Sequence, residues 1–373
     1  MAGSGSATPA PLRAKILEIS SYPPPRAGWG VRIEHVKRRL EELGHDCQVL
    51  NIGKSRKLKS PEYVDCQSGL DYLRKVIRFS RRGYSLHLHL NGDSPKGFLL
   101  ALLAGLVQLL ILRRRSFLTF HAGAEQRFFP QSRSRLFAPV IRATFALARV
   151  IICNSPSVKE RIAGYGVPPS RIVPIPAFSR QYLQFRPCPL PPAVEEFYRR
   201  RDPVLSSYVF FRPEFFIESL VDAVPRLLRV HPNLGLVILG SDADSEPIRR
   251  RIGSLGVQEH VLLGGDQPHD EFMTALQRSR IYIRTPKKDG VCSSVLEALS
   301  LGVPVVASEN GTRPAGVVTF RPDDAEDLAR AVLEVLSEHE RVRKAIVPPP
   351  VADTVQEEID VLLGRTPSGA VPS

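Results

Sequence analysis

Two carboxylates bracket a serine-rich segment late in the chain. The run is Asp289-Gly290-Val291-Cys292-Ser293-Ser294-Val295-Leu296-Glu297-Ala298, and Gly302-Val303-Pro304-Val305-Val306-Ala307 follows it. Its order is a loop acid, a helix start, a second acid about one turn into the helix, a glycine stop and a buried strand. A helix start points unpaired amide N–H groups at an anion, which places Cys292, Ser293 and Ser294 where a phosphate could sit. Two acids beside that site do not suit the phosphate itself. They suit hydroxyls, which donate to carboxylates, as a sugar on either side of a diphosphate would. The same spacing describes a capped helix with a solvated Asp and Glu, and spacing alone leaves both readings open.

Two further constellations could touch a ligand. Arg26-Ala27-Gly28-Trp29-Gly30-Val31 lies between a first strand and a first helix, where glycines let backbone approach a ligand closely. Its spacing is not GxGxxG, so a dinucleotide fingerprint is excluded, and a tight turn without a ligand fits equally. Thr119-Phe120-His121-Ala122-Gly123 carries a strand out into a small-residue loop. A histidine at the carboxyl end of a parallel strand can reach into a cleft, or can be a structural imidazole bonded to backbone.

The elements that must position these residues alternate strictly. Expected strands cover Ala14–Ile19, Asp46–Ile52, Tyr84–Leu90, Ser116–His121 and Val150–Asn154. Expected helices cover Val31–Leu43, Gly69–Arg81, Gly97–Leu112 and Ser134–Ala148, with a further one capped by Ser155 and running to Gly164. A proline-dense stretch at 176–203 breaks the pattern. Alternation resumes with strands at Val204–Phe211, Gly235–Leu239, His260–Leu263, Arg280–Arg284 and Pro304–Ala307, and helices at Glu214–Val230, Asp244–Leu255, Asp270–Arg278, from Ser293, and Asp323–Ser337. Such βα alternation implies an α/β fold with two doubly wound parallel sheets. The expected organisation is a flexible 1–13, a first domain at 14–175, a linker at 176–203, a second domain at 204–340, and a C-terminal helix and tail at 341–373. Ligands of such sheets bind at the carboxyl ends of the strands.

Composition narrows the class. At 373 residues and 43% hydrophobic content, two globular domains are expected. The net charge of +13 is unevenly spread: through Arg186 there are 30 basic and 11 acidic residues, a net of +19, and the remainder holds 21 against 27, a net of −6. A positive field confined to one half suits an anionic surface. No aromatic-interleaved basic motif accompanies it, so no nucleic-acid partner is expected. Five cysteines without a CxxC pair argue against a disulfide framework or a structural zinc site, and the polar, proline-broken start is not a secretory signal, so a cytoplasmic setting is expected. Gly97–Leu112 is almost wholly apolar and is followed by Arg113, Arg114 and Arg115. At 16 residues it reads as a core helix or as a peripheral membrane contact with arginines at lipid phosphates.

The acidic run resembles the signature of family 4 glycosyltransferases: acid, seven residues, Glu, Ala and then a Gly-x-Pro-Val-Val strand. The resemblance covers nearly the whole chain, taking in Gly28 and Gly30, His121, the strand-end Ser155, Gly240 and the Asn310-Gly311 loop. It implies a GT-B fold, two Rossmann-like domains facing a cleft, and transfer of a sugar from a nucleotide-sugar donor with retention of configuration and without a metal or other cofactor. It implies that Glu297 holds the ribose and Asp289 the sugar hydroxyls. Gly290 and the amides of Val291, Cys292 and Ser293 would lie at the diphosphate, and His121 would help orient the sugar. The acceptor expected from the basic half is a glycan or lipid-linked glycan, with the protein peripheral at a membrane's inner face. The pattern departs from the family where Asp289 replaces the usual Glu and Val291-Cys292 the usual Phe-Gly. The usual Arg and Lys after the first donor-domain strand are also missing: Phe215 and Phe216 occupy the Lys and Gly positions, leaving Arg212 as the cation of that turn. A nucleotide-sugar epimerase on the same fold and a degenerate scaffold relative are the alternatives.

Overall fold

A computed structural model describes residues 13–23, 28–121, 123, 126–240, 244–287 and 292–365. The chain forms two compact units, one built from residues up to Pro176 together with 354 onward, the other from Ala177–Asp353. The expected flexible 1–13 lies outside the described residues apart from Arg13.

The first unit runs β1 (Lys15–Ser20), α1 (Gly28–Glu42), β2 (Asp46–Asn51), α2 (Gly69–Arg81), β3 (Ser85–Leu90), α3 (Pro95–Leu112), β4 (Ser116–Phe120), α4 (Ala138–Ala146), β5 (Ala148–Cys153), α5 (Pro156–Ala163) and β6 (Ile172–Pro174). Its six parallel strands lie in the order β2-β1-β3-β4-β5-β6. Consecutive strands β1 and β2 extend to one side and β3 onward to the other, so the topological switch falls between β1 and β3. Short polar side chains set the helix starts. Ser68, Ser94 and Ser155 each accept from an amide three residues on, and proline occupies the first helical position behind Ser94 and Ser155. Helix α1 begins at Gly28, three residues before the sequence expectation, and α4 begins at Ala138, four residues after it.

Helix α3 packs one face in the core, as one of its two readings expected, and leaves the other face exposed. Phe98, Ala101, Ala104, Gly105 and Gln108 face the sheet. The buried Gln108 carboxamide accepts from Leu86 N at 2.8 Å and donates to Arg115 O at 3.3 Å, so this polar residue ties the helix to β3. The opposite face leaves Leu99, Leu103, Leu106, Leu109 and Leu110 exposed. By length and composition the 18-residue helix could cross a membrane, with a third of it buried in its own unit.

The second unit runs α6 (Pro192–Arg200), β7 (Val204–Tyr208), α7 (Ile217–Val230), β8 (Gly235–Leu239), α8 (Glu246–Ser254), β9 (Val261–Gly265), α9 (His269–Arg278), β10 (Ile281–Arg284), α10 (Ser293–Ser300), β11 (Val305–Ser308), β12 (Val317–Phe320), α11 (Ala325–Ser337) and α12 (His339–Ala345). Its sheet order is β12-β11-β10-β7-β8-β9, all parallel, with the switch between β7 and β10. The segment read as a linker, 176–203, belongs to this unit from Ala177 on. Pro191 and Pro192 start α6, a place where proline's missing N–H costs nothing, and Leu190 and Val194 join the core beside Val237 and Met273. Strand β7 ends at Tyr208 and α7 starts at Ile217, each three residues inside its expected bound.

The expected C-terminal tail returns to the first unit as α13 (Thr354–Leu362). Val355, Ile359 and Leu362 pack with Ile16, Val36, Leu40 and Phe117. Arg32 on α1 donates from its Nε to Glu358, and its Nη atoms reach Thr354 Oγ1 at 2.9 Å and Thr354 O at 2.8 Å.

Candidate active site

In the second unit the polar groups gather at the carboxyl ends of β7 and β10. Helix α10 follows β10, its N-cap at Cys292 has no side-chain cap, and the first-turn amides of any helix lack carbonyl partners. Cys292 Sγ lies 3.1 Å from Ser294 Oγ, which also accepts from Tyr282 Oη at 2.6 Å, and these contacts anchor the first turn. Ser293 and Glu297 stand on the same helix, one turn apart. Asp289, Gly290 and Val291 lie outside the described residues.

Glu297 is 6% exposed, and its carboxyl has no hydrogen-bond partner among the described residues. Burial alone pushes its pKa up to about 8, so at neutral pH it holds its proton. Gly240, at the end of β8, takes φ +119°, and a Cβ there would lie 2.0 Å from Val209 O. Only glycine fits, and the reason is close packing of backbone in the crossover.

The cations are arranged differently from the sequence expectation. Arg212 is half exposed, with its guanidinium 5.8 Å from the Phe210 ring and 3.9 Å from Glu214 Oε1. The buried cation of this region is Arg284, the last residue of β10. Its Nη1 donates to Tyr208 O at 2.7 Å, bridging β10 and β7 across the switch point, and its guanidinium lies 5.3 Å from the ring of Phe215. The sequence signal for it is an arginine ending an otherwise apolar strand, where burial demands a reason. Phe216 adopts φ +47° and ψ +47°, the left-handed conformation that glycine takes at ease, in keeping with its alignment to a glycine.

In the first unit a row of ionisable side chains crosses three strands on one face of the sheet. Register places Glu18 of β1 beside His87 of β3, and His89 beside Thr119 of β4, with His121 one residue past β4. His121 Nε2 and His89 Nδ1 are 2.9 Å apart, and His89 Nε2 lies 2.6 Å from Glu18 Oε2. His87 Nδ1 sits 2.8 Å from the same oxygen, close in distance but not aligned as a hydrogen bond. His87 Nε2 is 2.8 Å from Thr119 Oγ1, which donates to Glu358 Oε1 at 3.3 Å. Gly28 and Gly30 bracket Trp29, whose indole stacks on His121 with ring centres 4.9 Å apart. A Cβ on Gly30 would come within 3.3 Å of the Pro23 ring, while Gly28 faces open space.

Burial disfavours protonation of all three imidazoles, with different outcomes. For His87 the charge and contact of Glu18, with Glu358 behind, outweigh burial and raise the pKa. For His89 and His121 burial, reinforced by a neighbouring imidazole, drives it well below the usual value. Burial also opposes the charge on Glu358, but Arg32 and His87 overcome it and hold that carboxyl low. Glu18, His87, His89, Arg32 and Glu358 belong to none of the motifs read from the sequence. Their signal is Leu86-His87-Leu88-His89-Leu90, polar residues at period two in a strand that parallel sheets bury on both faces.

Comparison with known proteins covers both halves. The "Glycosyl transferases group 1" family model matches residues 199–347, and "Glycosyltransferase Family 4" matches residues 27–178. A phosphatidylinositol N-acetylglucosaminyltransferase component from Arabidopsis thaliana is 24% identical over 52% of this chain and 43% of its own length. The GDP-mannose-dependent alpha-(1-6)-phosphatidylinositol monomannoside mannosyltransferase of Mycolicibacterium smegmatis is 28% identical over 33% of this chain and 36% of its own length. The matches thus span less than half of these curated relatives. Among solved structures, Anabaena Alr3699/HepE in complex with UDP-glucose superposes with a TM-score of 0.67 at 14% identity, covering 93% of this chain and 99% of that one.

Proposed function

The chain belongs to the family 4 type of glycosyltransferase with the GT-B fold, and from that premise we propose that it moves a sugar from a nucleotide-sugar donor to a glycan or lipid-linked acceptor, retaining anomeric configuration. The observation that carries the donor half is the β7/β10 switch point, where the start of α10, the Glu297 carboxyl (without a partner among the described residues) and the Arg284 guanidinium lie on adjacent elements. In this reading the amides at 291–293 and Arg284, joined by the more exposed Arg212, hold the diphosphate. Glu297 accepts from the ribose hydroxyls, Asp289 from the sugar, and His121 helps orient the sugar. The protein's main chemical task is to stabilise charge building on the leaving diphosphate, and no metal or other cofactor is assigned to the step.

Two features support a lipid-linked acceptor at an anionic surface. The exposed leucines of α3 end beside Arg113, Arg114 and Arg115, all exposed, within a segment carrying a net charge of +19 through Arg186. Leucines entering the lipid and arginines meeting phosphates would hold the protein peripherally at the inner face of a membrane. Both curated relatives above are named for work on phosphatidylinositol lipids.

A donor panel reading nucleotide release tests the reading. With the cognate donor, Asp289→Ala and Glu297→Ala each lower release by at least ~10²-fold, and Arg284→Ala lowers it more than Arg212→Ala. Wild-type rates in both acid variants would remove the site assignment, and donor turnover without any acceptor would point to an epimerase. For the surface, flotation with phosphatidylserine vesicles is expected to be strong at low salt and lost in the triple variant of Arg113, Arg114 and Arg115 to Ala.

A further inference from the structure

We propose that Glu18 and His89 are positioning residues that lock His121 in the Nε2–H tautomer and leave its Nδ1 as a lone-pair acceptor for a hydroxyl of the transferred sugar. The sugar part of this rests on the reading under Proposed function. The lock itself rests only on the first unit's geometry.

Proton positions along the row follow from its inner end at β1. A carboxylate only accepts hydrogen bonds, so the 2.6 Å contact from Glu18 Oε2 requires a proton on His89 Nε2. A neutral imidazole has one donor nitrogen, so His89 Nδ1 must accept. The atom 2.9 Å away is His121 Nε2, which therefore carries its own proton and donates. That fixes His121 Nδ1 as the bare nitrogen, and no hydrogen bond reaches it among the described residues. Were His89 an imidazolium instead, both its nitrogens would donate and the direction at His121 would reverse. Burial and the neighbouring His87 disfavour that charge. His87 does the complementary work: lying between Glu18 and Glu358, with Arg32 on the far side, it is the imidazole of the row whose protonation the neighbouring carboxylates favour. Thr119 and Thr354 complete the set facing the row from β4 and α13.

A metal on Glu18, His87 and His89 is the competing use of these atoms, which all lie within 4.8 Å of one another. Ligands on a tetrahedral ion at about 2.0–2.1 Å sit roughly 3.3 Å apart. The 2.6 Å separation of His89 Nε2 from Glu18 Oε2 is that of a hydrogen bond, and His87 Nδ1, 2.8 Å from the same oxygen, is likewise too close for two ligands of one ion. The stacked Trp29 indole fixes the ring plane of His121. Trp29 thus sets the ring plane, His89 the tautomer, and burial chiefly the neutrality. A neutral His121 with Nδ1 bare cannot hand a proton to the departing phosphate. It can receive a hydrogen bond from a sugar hydroxyl and hold the ring for attack.

The full chain labelled with ¹⁵N-histidine, without donor, gives the first test. For His121, assigned by loss of its signals in His121→Gln, Nε2 should be protonated and Nδ1 bare from pH 6 to 8. A protonated Nδ1, or an imidazolium at pH 7, overturns the lock whether or not the protein turns over sugar. The second test is His89→Phe, which removes the acceptor. The variant should show mixed His121 tautomers and a kcat lowered by ~10–10²-fold, with affinity for the sugar-free nucleoside diphosphate unchanged. Intact kcat with mixed tautomers would overturn the sugar role while leaving the lock. If His89→Phe does not fold, the wild-type spectrum still decides the lock, and the same kcat split in His121→Gln decides the role.

Discussion

The two switch points of this molecule are built on opposite plans. In the first unit, buried charges are matched almost one for one: Arg32 with Glu358, His87 between Glu18 and Glu358, and a neutral His89–His121 pair extending the row. In the second unit, Glu297 is buried without a partner among the described residues, two phenylalanines stand where the family resemblance would place Lys and Gly, and Arg284 is tied to a main-chain carbonyl. A charge-matched cluster holds its geometry with or without a ligand. A buried carboxyl lacking partners is costly until something with hydroxyls arrives. The first unit thus resembles a finished frame, and the second a socket that, on the proposed reading, the substrate completes.

Breaking the frame should give the largest effect at neutral pH. Arg32→Ala leaves Glu358 charged in a site that is 0% exposed, and loss of one partner of a buried pair costs about 3–5 kcal/mol. Urea denaturation of the isolated chain should show that loss, with α13 the first element to exchange its amides. A change under ~1 kcal/mol would mean that the pair is not load-sharing between α1 and α13.

The socket answers in the opposite direction. Glu297 has a folded pKa of about 8 against an ordinary value of 4.5, so the folded state binds this proton more tightly than the unfolded chain does. Its stabilising contribution is complete below the unfolded pKa, declines from pH 4.5 upward, and is fully lost once pH passes 8. Glu297→Gln lacks that decline. Relative to wild type without donor, the variant should gain stability progressively across this window, on the order of 4–5 kcal/mol by pH 8.5, while losing donor binding. Equal pH profiles would show that Glu297 is solvated.

Legibility in the sequence follows the range of the contacts involved. Helix α2 over Gly69–Arg81 and strand β8 over Gly235–Leu239 match the sequence bounds, because caps and periodicity are local signals. Helix α6 is hidden by its own prolines, which exclude helix interiors but favour first turns. The acid run and His121 are visible as motif and strand end. The partners of His121 are not, since Glu18, His89 and Glu358 are 71 or more positions apart from one another along the chain and only the sheet register and the return of α13 bring them together. Arg284 is legible as the end of a strand, but its role depends on β7 being its neighbour, which is a fact of strand order.

The smallest predicted effect probes the turn that holds the two phenylalanines. Phe216 sits at φ +47°, ψ +47°, and its neighbour Phe215 has its carbonyl bonded by Thr285 Oγ1, so the left-handed turn is anchored from β10's side. Left-handed backbone costs a residue with a Cβ roughly 1 kcal/mol that glycine avoids. Phe216→Gly also deletes a ring, so the informative comparison is with Phe216→Ala, which deletes the same ring and keeps the strain. The glycine variant should be the more stable of the two by about 0.5–1 kcal/mol in urea midpoints at unchanged m-value. If alanine matches or exceeds glycine, the turn relaxes out of the left-handed region. Phe216 would then not occupy a glycine's place, and the alignment that puts Phe215 where a lysine is usual would lose its structural support.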